Sequence, residues 1–179
     1  SLTFVGEKLR PDWLTKRLKG EVGENIRPWL ASRMPSFPFH AEVLAEGLAR
    51  SHGFSAKAEP IPDPDPELAE VGERLVSQKE GFACTTCHPI GDYEAQAVYE
   101  SEGINFMVAA ERLRPGYALH WMFNPLRVNP KTKMPRYTNE QGNTPLVTLL
   151  DGEGERQFEA IWNYLLRGRE IEPPRVDVK

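Results

Sequence analysis

A chain of 179 residues, 40% hydrophobic and 27% charged, has an ordinary globular composition and room for one medium or two small domains. Its formal net charge of −4 removes the electrostatic case for nucleic-acid binding, and no apolar run approaches the roughly 18 residues of a membrane span. No leader pattern of a charged stretch followed by an apolar one opens the sequence.

In chain order, residues 1–57 come first, with Leu9, Trp13, Leu14, Trp29 and Leu30 as apolar positions and Val43, Leu44, Gly47 and Leu48 at the spacing of a short helix. Residues 58–66 (AEPIPDPDP) hold four prolines, which fix φ and lack an amide donor, and read as an extended linker. Asp65 then caps a helix with Pro66 at its first position and Glu67 in its first turn, and Leu68, Val71, Gly72, Leu75 and Val76 form one stripe. The run Cys84-Thr85-Thr86-Cys87-His88 follows. A second helix starts at Pro115, turns Ala118, Leu119, Met122 and Phe123 inward, and stops at Asn124-Pro125. From Pro125 to Pro145 the text is loop-like and contains Met134. The last helix runs from about Glu155 to Arg167, with Phe158, Ile161, Trp162 and Leu165 on one face and Gly168 as its stop. Residues 171–179 read as a tail. No strand pattern appears, so the class is all-α.

Part of the chain repeats. Glu7-Lys8-Leu9-Arg10-Pro11 parallels Glu111-Arg112-Leu113-Arg114-Pro115, and Trp13 stands where Tyr117 stands. Arg33-Met34-Pro35-Ser36-Phe37 parallels Lys133-Met134-Pro135-Arg136-Tyr137. Two motifs in the same order indicate duplication. Residues 1–57 thus read as the rear half of the unit that residues 67–170 present in full, but without a Cys-x-x-Cys-His.

That pentapeptide carries the chemistry. Two residues between the cysteines let one turn of chain present both sulfurs to the two vinyl groups of one porphyrin. The histidine that follows falls over the ring face, within reach of the iron, and the pattern is a c-type haem signature. A zinc site would need a fourth ligand from His40, His52 or His120, and adjacent Cys87 and His88 would crowd its tetrahedron. A thioredoxin-like pair belongs in a βαβ setting that is missing here. The sixth iron ligand points to Met134, which lies in a loop bounded by Pro130 and Pro135 with no helical stripe to absorb it. Met107 and Met122 sit among apolar neighbours and read as packing residues, and Met34 lies in the incomplete copy. A histidine or an open position is the alternative. Filled His and Met positions raise the reduction potential and leave no easy place for substrate, which favours electron transfer over catalysis. Arg112, Trp121, Arg127 and Tyr137 are candidates for the propionates. Lys131 and Lys133 either ring an exposed haem edge or belong to a solvated loop. His120 reads as a surface or half-buried residue, and His40 and His52 have no assigned role.

With Gly72-x-x-Leu75-Val76, CTTCH, a Met-Pro loop and a closing amphipathic helix, residues 66–168 resemble a class I cytochrome c. The resemblance implies first and last helices that cross closely, with Gly72 admitting Phe158 or Trp162. It implies thioethers at Cys84 and Cys87, His88 as proximal ligand and Met134 as distal ligand. The stretch from Arg112 to Pro135 is similar to bacterial cytochrome c modules found fused or duplicated in larger respiratory proteins. The chain departs from the family where Gly-Pro-x-Leu is replaced by Gly103-Ile104-Asn105-Phe106.

The expectation is one covalent haem c with its iron, in a one-electron carrier at the periplasm or another extracytoplasmic face. Redox proteins would be its donor and acceptor. A peroxidase-like or gas-sensing module, or a docking subunit of a larger oxidoreductase, are the rivals. The N-terminal copy belongs to a di-haem cytochrome using Met34, or is a haemless structural arm, or lends Met34 to a partner's haem. Its apolar residues Leu9, Trp13, Leu14, Trp29 and Leu30 then require cover from a parent complex or an oligomer.

Overall fold

The computed structural model describes residues 2–23, 25–27, 30–31 and 34–178. Its α-helices are α1 (Val5–Lys8), α2 (Pro11–Lys19), α3 (Ala41–Ser51), α4 (Pro66–Val76), α5 (Ala109–Arg112), α6 (Pro115–Phe123), α7 (Pro125–Val128) and α8 (Gly154–Leu165), joined by short 3₁₀ turns. Among the described residues the only strand-like pairings are isolated bridges, so the class is all-α. No helix among them is long and apolar enough to cross a membrane.

α4 begins as its sequence dictates. Asp65 Oδ1 accepts from Leu68 N at 3.0 Å, which satisfies an amide that has no partner inside the helix. α8 crosses α4 at Gly72, where an added Cβ would lie 2.0 Å from the carbonyl oxygen of Ala160 and 2.9 Å from Tyr164 Cβ. The close approach therefore comes from Ala160 and Tyr164, rather than Phe158 or Trp162. Phe158 turns instead toward Phe123 and Phe82, at ring-centroid distances of 4.9 and 6.1 Å.

Two segments are more ordered than their sequence suggests. Pro125–Val128 forms α7, because Asn124 Oδ1 accepts from Arg127 N and Pro125 suits the first helical position. Residues 171–178 are not a free tail. Ile171 and Pro174 are buried, Arg175 Nε donates to Glu73 Oε1 at 2.8 Å, and Asp177 accepts from Gln78 N at 2.9 Å. Glu73 is a buried carboxylate on α4, and the returning chain supplies the cation it needs.

In the N-terminal part, α3 packs through Ala41, Ala45 and Ala49, while Val43 and Leu44 are 74% and 41% exposed. Of the expected apolar positions, Val43 and Leu44 are thus turned outward while Leu48 packs half-buried against the core, since short alanines allow α3 to lie close to α2. Leu9, Trp13 and Leu14 need no other molecule to cover them, for they are buried inside this chain. Leu9 bridges Leu113, with Arg10 N donating to Arg112 O and Arg114 N to Lys8 O, both at 3.0 Å. The two Leu-Arg-Pro motifs therefore lie antiparallel, each followed at its proline by a helix, α2 or α6. Leu30 is 42% exposed; Trp29 and Arg33 lie outside the described residues. Residues 58–65 run along the surface without regular secondary structure into α4 at Pro66, tied by Arg10 to Glu59 O and by Asp65 N to Asn163 Oδ1.

Candidate functional site

The pentapeptide follows α4 after one irregular turn. Gly81 lies so close to α4 that a Cβ there would come 2.0 Å from Leu75 O. Ala83 takes a left-handed conformation (φ 56°), reversing the chain into a 3₁₀ turn over Cys84–Thr86. Cys87 N and His88 N both donate to Cys84 O, at 3.1 and 2.9 Å. Cys84, Cys87 and His88 therefore belong to a single turn. Thr85 between the cysteines is fully buried and donates its hydroxyl to Asp177, so the C-terminal segment braces the turn from behind.

Both cysteines are free thiols and half-buried. Burial pushes the Cys84 thiol up to about 12, which keeps it protonated. Among the described residues, no three His, Cys, Asp or Glu side chains gather as ligands of one ion. A covalently attached porphyrin would make no such demand, because the two thiols would bond its ring edge and, of this turn, only the imidazole would reach the metal.

His88 is held by three neighbours on the departing loop. Its Nδ1 lies 2.8 Å from Ile104 O, and a carbonyl can only accept, so Nδ1 carries the proton and Nε2 keeps its lone pair. Burial lowers the imidazole pKa, which preserves that neutral form. Phe106 stacks on the ring at a centroid distance of 4.6 Å, and a Cβ on Gly103 would lie 2.3 Å from His88 Cε1. Asn105 clamps the loop: Oδ1 accepts from Gly91 N and Met107 N, both at 3.0 Å, and Nδ2 donates to Gly91 O at 2.8 Å. The segment Gly103-Ile104-Asn105-Phe106 thus supplies a carbonyl, a small residue and an aromatic wall to His88. Ile104 and Phe106 were not among the expected site residues, and only the departing motif itself marked their position.

Met134 is half-buried, and its sulfur accepts from Trp121 Nε1 at 2.8 Å. Its amide donates to Thr132 Oγ1 at 3.2 Å, which tightens the loop before Pro135. Met122 is buried and Met107 packs half-buried against the core, whereas Met34 is 46% exposed. The expected propionate donors divide. Trp121 is engaged by Met134 and Tyr137 donates to Phe82 O at 2.8 Å, Arg127 is exposed, and Arg112 is buried. Lys133 pairs with Glu100 at 3.0 Å, and His120 sits on the surface beside Glu7. His52 joins Leu48 O and Thr3 O through its two ring nitrogens, a purely structural place.

No family model, curated protein or solved structure matches this chain.

Proposed function

We propose that residues 67–170 form a cytochrome c-like domain carrying one covalent c-type haem, and that the chain is a one-electron carrier rather than an enzyme. The observation that carries this reading is the Cys84–His88 turn, in which the Nδ1 bond to Ile104 O leaves Nε2 as the free ligand atom. Cys84 and Cys87 would hold the porphyrin edge by thioethers, with His88 and Met134 as axial ligands. When bound, the iron supplies a one-electron couple.

The chain's own residues fit that group. Gly103 leaves room for the imidazole, Phe106 stacks on it, and Asn105 fixes the loop that presents the accepting carbonyl. Trp121 Nε1–H and Thr132 Oγ1 fix the methionine side and favour a filled sixth position over an open one. A thioether opposite an imidazole raises the reduction potential relative to imidazole alone. Covalent haem of this kind belongs to the periplasm or another extracytoplasmic face, with redox proteins as donor and acceptor in a larger assembly. Residues 1–57 serve in this reading as a partial, haemless repeat packed on the complete domain, joined to it by the 58–66 linker.

The test is a pyridine-haemochrome assay with intact mass, followed by visible spectra of the wild type and of Met134→Ala. One haem per chain is expected, with a low-spin spectrum indifferent to carbon monoxide in the wild type and high-spin character in the variant. A colourless protein with two titratable thiols refutes haem attachment. A red protein unchanged by Met134→Ala, or one whose wild type binds cyanide readily, refutes the carrier and favours a sensor or peroxidase-like module.

A further inference from the structure

The seam between the two Leu-Arg-Pro motifs gathers positive charge without neutralising it. Antiparallel pairing of Leu9 with Leu113 puts Lys8 opposite Arg114 and Arg10 opposite Arg112. Two of these four cations find oxygen acceptors. Arg114 donates to Leu9 O at 3.1 Å and Ser55 O at 2.7 Å, and Arg10 donates to Glu59 O and Asp12. The other two turn to aromatic faces in a reciprocal arrangement. Lys8 Nζ lies 5.3 Å above the Tyr117 ring, and Arg112 Cζ lies 5.4 Å above the Trp13 ring. Lys8 and Arg112 are equivalents in the two motifs, and so are Trp13 and Tyr117.

Cation–π contact is weaker than ion pairing, and Arg112 is only 8% exposed, with its Nε buried and lacking any hydrogen-bond partner. Among the described residues, no carboxylate pairs with Lys8 or Arg112. The acids adjacent to them in sequence are engaged elsewhere, Glu7 by His120 and Glu111 by Arg169, each at 3.1 Å. Burial, Arg112 and Arg27 bring Lys8 down to about 8, and burial with Arg27 brings Arg112 down to about 10. A buried guanidinium with a free N–H, facing further cations, is the donor set of an oxyanion site.

We propose that the seam between the two motifs binds an oxyanion, gripped by the Arg112 guanidinium and the Lys8 ammonium and so contacted by both parts of the chain. The same chemistry is available from two sources: the carboxylates of the porphyrin, which depend on the haem reading above, and free inorganic phosphate, which does not. Whichever binds, the N-terminal segment becomes part of a ligand site instead of packing alone.

The experiment uses the full chain as purified and has two arms. In the first, thermal unfolding is followed while phosphate is raised at constant ionic strength. A free-anion site predicts a rise of roughly 5–10 °C near saturation, reduced in Lys8→Met, abolished in Arg112→Gln and partly restored in Arg112→Lys. In the second, porphyrin carboxylates predict no phosphate response, but a shifted reduction potential in both Arg112→Gln and Lys8→Met, largely reversed in Arg112→Lys. The proposal is overturned if neither arm responds, or if phosphate stabilises wild type and Arg112→Gln equally. It is also overturned if the charge-removing variants raise Tm in phosphate-free buffer while phosphate does not stabilise the wild type and no potential shifts, since the cations then only repel. A colourless protein refutes the haem reading while the phosphate arm still decides the anion site.

Discussion

Replacing Gly103 by alanine probes the support of His88 more directly than changing the histidine itself. The added methyl carbon would stand 2.3 Å from Cε1 and 2.4 Å from Nδ1 of the imidazole, where carbon contacts settle at about 3.5 Å. The ring must therefore retreat by about 1 Å. Phe106, stacked on it at 4.6 Å, and the bond to Ile104 O at 2.8 Å both resist that movement. Overpacking of this kind costs about 1–3 kcal/mol, and a buried donor stripped of its carbonyl costs about 1–3 kcal/mol more. A net loss near 3 kcal/mol lowers Tm by roughly 6–12 °C in a chain of this size. Thermal unfolding by far-ultraviolet circular dichroism measures the stability, and the visible spectrum reports the ligand field if haem is present. Gly116→Ala is the control, since nothing lies within 4 Å of its Cβ position and helix propensity favours alanine by up to about 1 kcal/mol. Equal melting of the Gly103→Ala variant and the wild type, with an unaltered spectrum, would refute the packing argument for His88.

Gly72→Ala forces a methyl against the Ala160 carbonyl, and two packed helices cannot yield as a flexible side chain can; about 3 kcal/mol should be lost, read from the denaturant midpoint. Glu73 controls acid stability. Burial alone would raise its carboxyl, but side-chain and backbone hydrogen bonds from Arg175, with one from Arg167, outweigh burial and hold it below the ordinary value. Its stabilisation is therefore complete above the unfolded carboxyl's pKa and disappears as pH falls through the lower folded one. Glu73→Gln should cost about 2 kcal/mol at pH 7 and flatten the acid limb of a Tm-against-pH curve; an unchanged limb would contradict this assignment. Trp121→Phe keeps the ring but removes the donor to Met134, so a loss of about 1 kcal/mol is expected in thermal unfolding, with a lower reduction potential by redox titration if haem is present.

Local signals were legible where local chemistry decides the structure. Asp65 and Pro66 start α4, Pro115 starts α6, and the apolar spacing of α8 identifies its buried face to within two residues at either end. What escaped reading depends on partners far along the chain. The cover over Leu9 and Trp13 comes from a segment about a hundred residues away, and that pairing has no local signature. The C-terminal segment resembled a tail because the residue it serves, Glu73, lies on another helix. On α3 the apolar spacing pointed to Val43 and Leu44, yet alanines make the contact, since close helix packing rewards small side chains over large ones. Among the proposed haem-binding residues, the pentapeptide and Met134 stand out by residue type. The acceptor for His88 is a backbone carbonyl, which any residue at position 104 can provide and no side chain announces.

In the haem reading proposed above, the choice between electron carrier and ligand-binding module turns on how firmly Met134 is held. A thioether sulfur has two lone pairs, so a hydrogen bond from Trp121 does not consume its capacity as a metal ligand. The bond does withdraw electron density from sulfur. In the haem reading, that weakens donation to the oxidised metal more than to the reduced one and raises the potential. It also restrains the side chain independently of the metal, while Thr132 restrains the backbone of the same residue. A ligand tethered at both ends rebinds faster than a diffusing competitor can replace it, which suits a carrier and handicaps a sensor. The two effects separate in Trp121→Phe: electronic withdrawal moves the potential, and lost tethering increases cyanide binding. A variant that changes neither would leave Met134 held by its loop alone, and the tryptophan would then have only a packing role.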